Sequence, residues 1–197
     1  TSKSENIAPF LRKKFKAQLS VIYPFGNCVY NAKIWQNGDW KKDHLALKKG
    51  NPIRSLNIKL EEGNVLNAIK FKLFLPESRN FLNEILGTLI IRKVGFIAPE
   101  TFEVNTKING IKSIMLFQED SQKELLERNL RKEGPIFEGD ESLLWSNKYK
   151  NMLELEKISL TRLINSNYPL KGENALFITT NASRKLQDTY LEYSQTF

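Results

Sequence analysis

Apolar residues recur at every second position in stretch after stretch between residues 28 and 118, and that period of two commits this part of the chain to β-sheet. From Cys28 to Gln36, Tyr30, Ala32 and Ile34 share one side while Asn31 and Lys33 take the other. Leu56, Ile58 and Leu60 alternate with Ser55, Asn57 and Lys59, which places the first three inward and the second three outward. Ile69, Phe71, Leu73 and Leu75 repeat the pattern until Pro76 stops it. Phe102, Val104, Thr106 and Ile108 resume it, Asn109-Gly110 supplies a hairpin turn, and Ile111–Gln118 reads as the returning strand.

One segment inside this series changes period. Leu82, Ile85, Leu86, Leu89 and Ile90 trace a helical stripe from about Ser78 to Lys93, with Gly95 as the stop. The same spacing appears earlier in Leu11, Phe15 and Leu19, beside Arg12, Lys13, Lys14 and Lys16. That combination predicts a basic amphipathic helix that packs its stripe on the body with the lysines in water. Contact with an acidic membrane or nucleic acid is the lesser reading of it. Lys41–Pro52 reads as a polar, basic loop, or a short helix plus loop, after the turn signal Asn37-Gly38-Asp39-Trp40.

Beyond residue 120 the signals are helical. Ser121-x-x-Glu124 has the form of a capping box opening a helix through Lys132, and Gly134-Pro135 closes it. Met152–Ile164 and Ser183–Tyr193 read as further helices, joined by a loop with Asn165, Asn167, Pro169 and Gly172. The expected class is therefore α+β. Residues 1–27 form a basic helical extension, 28–119 a sheet with one packed helix, and 120–197 a helical remainder.

Composition removes several classes. With 197 residues, 41% hydrophobic and 26% charged, the chain is neither collagenous nor of low complexity nor disordered over long stretches. No apolar run approaches the ~18 residues that span a bilayer. Cys28 is the one cysteine and His44 the one histidine, so there is no internal disulfide and no Cys/His zinc cluster. A Cys28–His44 thiol dyad is the minor reading of that pair; a lone strand cysteine is ordinarily buried and inert. The chain starts at Thr1 without a basic-then-apolar leader and reads as an excised or processed segment. Its net charge of +8 attracts polyanions, whether nucleotide, nucleic acid or anionic lipid, without choosing among them.

An ordered series of short motifs narrows the choice. Gly38-Asp39-Trp40 is followed by Asp43-His44-Leu45 and then by Arg54-Ser55-Leu56-Asn57-Ile58-Lys59. Phe71, Pro76 and Arg79 come next, then Gly95-x-x-Ala98-Pro99-x-Thr101, Asn109-Gly110, Gln118-Glu119, Lys123-x-Leu125-Leu126-Glu127 and Glu133-Gly134-Pro135-Ile136. From about residue 28 to 145 this series resembles the spore-coat-protein-H-like (CotH) family of atypical kinases. The chain departs from that pattern in having Leu56 for an aromatic residue and Ile114-Met115-Leu116 where relatives carry Gly-x-Tyr.

The resemblance implies a protein-kinase-like N-terminal lobe, an antiparallel sheet with one packed helix, followed by an incomplete helical C-terminal lobe. It implies ATP and Mg²⁺ as cofactors, with nucleotide and a protein substrate as partners; nucleic acid, suggested by the net charge and the Arg12–Lys16 cluster, is the lesser partner. Relatives are often exported or associated with the cell envelope. The Asp motifs by which relatives hold metal lie beyond the matched stretch, so the chain corresponds to the nucleotide-facing half. The competing reading is a non-catalytic coat, surface or scaffold module of the same fold.

The residues that kinase chemistry would use follow from what it demands: cations on phosphate oxygens and a glutamate to hold the cation. Lys59, outward on its strand, and Glu84, in the helix that follows, stand in the order of such a pair. Glu84 also lies opposite the Leu82/Leu86/Leu89 stripe, where a carboxylate is ordinarily just solvated. Arg54 is the competing phosphate cation. Arg79 is either a phosphate anchor or a partner for Glu77 or Glu127. Gly38 opens a turn able to roof the phosphates, with Asp39 or Asp43 near a metal, or with Asp39, Asp43 and His44 as a weak metal site of their own. Gln118 and Glu119 fall where a linker would meet the adenine, and Glu119 equally suits charge compensation at a helix start. Glu124–Arg128 and Glu127–Arg131 are supporting i,i+4 pairs.

Overall fold

A computed structural model describes residues 13–38, 45–48, 51–139 and 161–196. The chain divides into two compact units, Thr1–Asp120 and Ser121–Phe197.

The first unit is built on a curled, fully antiparallel sheet of six strands. These are β1 (Phe15–Tyr23), β2 (Gly26–Gln36), β5 (Leu56–Leu60), β6 (Lys70–Phe74), β8 (Ile111–Glu119) and β7 (Thr101–Ile108), in that spatial order. A separate hairpin of β3 (Leu45–Lys48) and β4 (Asn51–Arg54) precedes β5. Between β6 and β7 come a 3₁₀ turn (Pro76–Arg79) and helix α1 (Asn83–Lys93).

Register fixes which residues share each face, because side chains alternate strictly along a strand. Ala32, Ile58, Leu60, Phe71, Leu73, Met115 and Phe117 form one face and are buried together. Phe117 stacks on Phe102 and packs at a tilt against Phe71, each with ring centroids 4.9 Å apart. Each fully buried ring of this kind is worth about 1.5–3 kcal/mol. The other face carries Lys33, Lys59, Asn57, Lys70, Lys72, Phe74 and Gln118. It is also apolar at Phe74 and Leu116, beside the 3₁₀ turn and α1, and at Trp35 on β2. The hairpin turn Asn109-Gly110 has both residues at positive φ (48° and 86°), the conformation a two-residue loop requires there.

Several expectations are corrected. The basic segment at the N-terminus is not a helix from Phe15 onward but strand β1, paired along its length with β2, so residues 15–27 belong to the sheet. Lys41–Pro52 is not all loop: it holds β3 and the start of β4, and Ile53 is buried in the core. Ser55 and Asn57 are buried rather than outward. The Ser55 hydroxyl accepts the Leu75 backbone N–H at 3.0 Å, which satisfies it inside the sheet. The helix expected from Ser78 begins only at Asn83, because Asn80 and Phe81 both take left-handed φ (50° and 56°) and break the spiral.

In the second unit, the helix after residue 120 is a short α2 (Lys123–Arg128) that starts after Gln122 without a side-chain cap and ends well before Lys132. Leu130, at φ 55°, prevents its continuation. The helix expected over Met152–Ile164 lies mostly outside the described residues, and its end is a strand: β10 (Thr161–Leu163) pairs with β9 (Phe137–Gly139). Asn165 joins the neighbouring backbone through both of its amide atoms, accepting from the Ile136 N–H and donating to the Gly134 carbonyl, each at 2.8 Å. The helix expected over Ser183–Tyr193 is present as part of α3 (Glu173–Thr196). The expected class, α+β, is what the chain adopts.

Candidate functional site

The polar chemistry of the first unit collects on the side of β6 and β8 that faces α1. Lys70 and Lys72 stand two residues apart on β6, hence on the same face and about 6.6 Å apart along the strand. Both ammonium groups reach one carboxylate: Lys70 Nζ lies 2.5 Å from Asp120 Oδ2 and Lys72 Nζ 3.2 Å from Oδ1. The backbone helps set this up, since the Asp120 N–H donates to the Lys70 carbonyl at 3.0 Å. Asp120 is buried while the lysines keep about a third of their side-chain surface in water. Burial pushes the Asp120 carboxyl up, but the ammonium groups of Lys72 and Lys70 outweigh it and hold the group below the ordinary carboxylate range.

A third cation continues the line. Two residues beyond Lys72 the Phe74 ring is fully buried, and the Arg79 guanidinium lies over it at 4.1 Å from the centroid. The Arg79 Nε is itself buried, with no hydrogen-bond partner among the described residues. Three cations therefore follow one face of β6 and the turn after it, with a single buried carboxylate among them.

Helix α1 presents a polar edge to this region. Glu84, Thr88 and Arg92 recur at the four-residue spacing; Thr88 is buried and the other two are half-buried. Glu84 Oε1 accepts a hydrogen bond from Gln118 Nε2 at 2.6 Å, and the same nitrogen lies 3.3 Å from Thr101 Oγ1. Arg92 pairs with Glu100. Gln118 is the register partner of Lys72, so its amide stands between that lysine's strand and the helix carboxylate.

The residues singled out from the sequence are thus sorted. Glu84, Gln118 and Arg79 come to this face. Lys59 lies on the same face but one strand further out, exposed, and Glu84 meets Gln118 rather than Lys59. Arg54 is turned to Gln36, to whose Oε1 it donates at 2.8 Å; Gln36 shares the face of Ala32 and Ile34, away from the lysines. Glu119 follows Gln118 but, by alternation, points to the opposite side, where its Oε2 accepts the Glu100 N–H at 3.3 Å. Gly38 has φ 87°, a backbone open to glycine, but Asp39–His44 lie outside the described residues. Glu77 does not pair with Arg79 among the described residues, and Glu127 belongs to the second unit. Lys70, Lys72 and Asp120 were not singled out. Their only trace in the sequence is the alternation Lys70-Phe71-Lys72-Leu73, which sets two lysines opposite the core residues.

The arrangement suits an anion. Two ammonium groups share one carboxylate, leaving about one positive charge, and Arg79 adds another beside it. Among the described residues no group of three acidic, histidine or cysteine side chains is placed to hold a metal. No family model matches the chain, and no curated protein matches it either.

Proposed function

We propose that the first unit is the small lobe of a CotH-like atypical kinase, and that Lys70, Lys72 and Arg79 bind the phosphates of ATP. The observation that carries this reading is the connection from β6 through α1 to β7 and β8, with β8 returning to lie between β6 and β7. In kinase folds the phosphate-binding lysine sits on the strand that precedes the helix and the supporting glutamate on the helix itself. That rule moves the lysine from Lys59, on β5, to β6. It keeps Glu84 as the helix carboxylate, positioned through the Gln118 amide.

The residues fit the cofactor's phosphates: three cations on one face of β6 and the turn after it, against a polyanion. ATP carries Mg²⁺ on its own phosphate oxygens and supplies the phosphoryl group, which would pass to a hydroxyl of a protein substrate. This chain's residues would neutralise and orient the phosphate tail. Asp120 directs Lys70 and Lys72 before nucleotide arrives.

Calorimetric titration of the chain with ATP–Mg²⁺ tests the reading. A hydrogen bond to a charged group contributes about 1.5–3 kcal/mol, so Lys72→Ala should weaken binding by about tenfold or more. Lys59→Ala should stay within about twofold, because its ammonium lies a strand away. Absence of any binding by the parent chain would sink the nucleotide reading. Equal losses in the two variants would remove the assignment to β6.

A further inference from the structure

Away from α1, the same sheet face carries a second basic feature, of which the nucleotide reading uses only the Lys70 end. Lys16, Lys33, Lys59 and Lys70 are direct register partners across β1, β2, β5 and β6, forming one unbroken row. At about 4.8 Å per strand the row spans about 14 Å. Like charges placed directly opposite one another destabilise a sheet, so nothing in the fold itself calls for this row. Lys70 is held by Asp120, and Lys33 has only a loose contact with Glu61 at 3.6 Å. Among the described residues no acidic side chain pairs with Lys16 or Lys59, and both are exposed.

Apart from Glu61 and Asp120, which contact Lys33 and Lys70, the described positions flanking the row are uncharged or basic. Gln18 and Asn31 pair on one side of the row. On the other stands Trp35, half-buried, with Lys14 Nζ over its ring at 5.1 Å. A row of ammonium groups flanked by exposed amides and one aromatic ring is the surface that takes a single nucleic-acid strand: cations for the backbone, amides for base edges, a ring for stacking. An acidic peptide would use the ammonium groups alone.

We infer that the β1–β2–β5 face binds single-stranded nucleic acid through Lys16, Lys33 and Lys59. The probe is a fluorescein-labelled 20-nucleotide thymidine oligomer, read by anisotropy across a salt series. Each lysine that neutralises a phosphate contributes about 0.7 to the slope of log K against log salt for a single strand. The triple variant Lys16→Gln, Lys33→Gln, Lys59→Gln should lose about 2 from that slope and about tenfold or more in affinity at 0.1 M salt. A second triple variant, Lys107→Gln, Lys112→Gln, Lys185→Gln, removes the same charge from other exposed positions and should bind as the parent does. Thermal melts of both establish that they fold.

Three results would overturn the inference: no binding by the parent chain, equal losses in both triple variants, or displacement of the oligomer by polyglutamate of matched charge as readily as by unlabelled oligomer. The last would make the row a site for acidic polypeptide. ATP titration of the row variant separates this site from the other, since Lys70, Lys72 and Arg79 are intact in it.

Discussion

Asp120 decides the charge state of the site at the residue scale. Its carboxylate is buried and draws two ammonium groups toward it, so replacing it leaves those lysines facing each other without a countercharge. Asp120→Asn should cost about 1–3 kcal/mol near neutral pH, measured by urea unfolding. The sign of its pH dependence follows from the depressed native carboxyl. The stability it contributes is fully present above the unfolded-state value and is lost as pH falls through the lower native one. The gap between parent and variant should therefore be full at pH 6 and shrink below about pH 4. A gap that stays constant across that range would mean the carboxylate charge contributes nothing. Neither Lys70 nor Asp120 carries a motif, which is why the cluster was not legible in advance. It exists only because β8 returns beside β6, a pairing between residues about fifty positions apart.

At the scale of the element, α1 shows how far amphipathic spacing can mislead. A helix was legible near these residues, but the face it packs was not. Leu82, Leu86, Leu89 and Ile90 are 55%, 53%, 42% and 61% exposed, while Thr88, between them in sequence, is buried. The face toward the sheet is chosen by Glu84 and Arg92, which find Gln118 and Glu100, and not by apolar area. Leu86→Lys should therefore change stability by less than about 0.5 kcal/mol, whereas Thr88→Arg should cost about 1–3 kcal/mol by overpacking. Thermal or chemical melts of the two variants discriminate, and the reverse order would mean that the helix is turned the other way.

Strand β1 was misread for a related reason. Leu11, Phe15 and Leu19 are four apart, and a spacing of four is also two steps of a period of two. Ala17 and Val21 continue the period of two, and the pairing of Phe15–Tyr23 with β2 then settles that stretch as strand. By contrast the strands over 28–36, 69–75 and 102–118 were legible, because one face of each meets the core and the other meets polar surroundings. Ser55 and Asn57 broke that rule, since polar side chains bonded to neighbouring backbone can be buried without penalty.

On the scale of the molecule, the sheet carries its chemistry on one side. Its core face is a continuous apolar layer, and its opposite face is basic from β1 to β6. Under the two proposals, that division lets one fold offer cations both to a compact polyphosphate beside α1 and to an extended one across β1, β2 and β5. It is also consistent with the chain's +8, much of which this single face displays. The resemblance to CotH-like kinases pointed to a lysine, a helix glutamate and an arginine. The topology keeps the glutamate and the arginine as candidates and moves the lysine one strand inward. A single residue's alternation could not have revealed that step, because strand order is a property of the assembled sheet.

The most direct measurement is a heteronuclear NMR titration of the whole chain with a non-hydrolysable ATP analogue and Mg²⁺. Backbone and side-chain shifts should concentrate at Lys70, Lys72, Arg79 and the Gln118 amide, with Lys16, Lys33 and Arg54 nearly unmoved. Perturbations centred on Arg54 and Gln36, or shifts spread evenly over the chain's lysines, would contradict a phosphate site on β6 beside the helix.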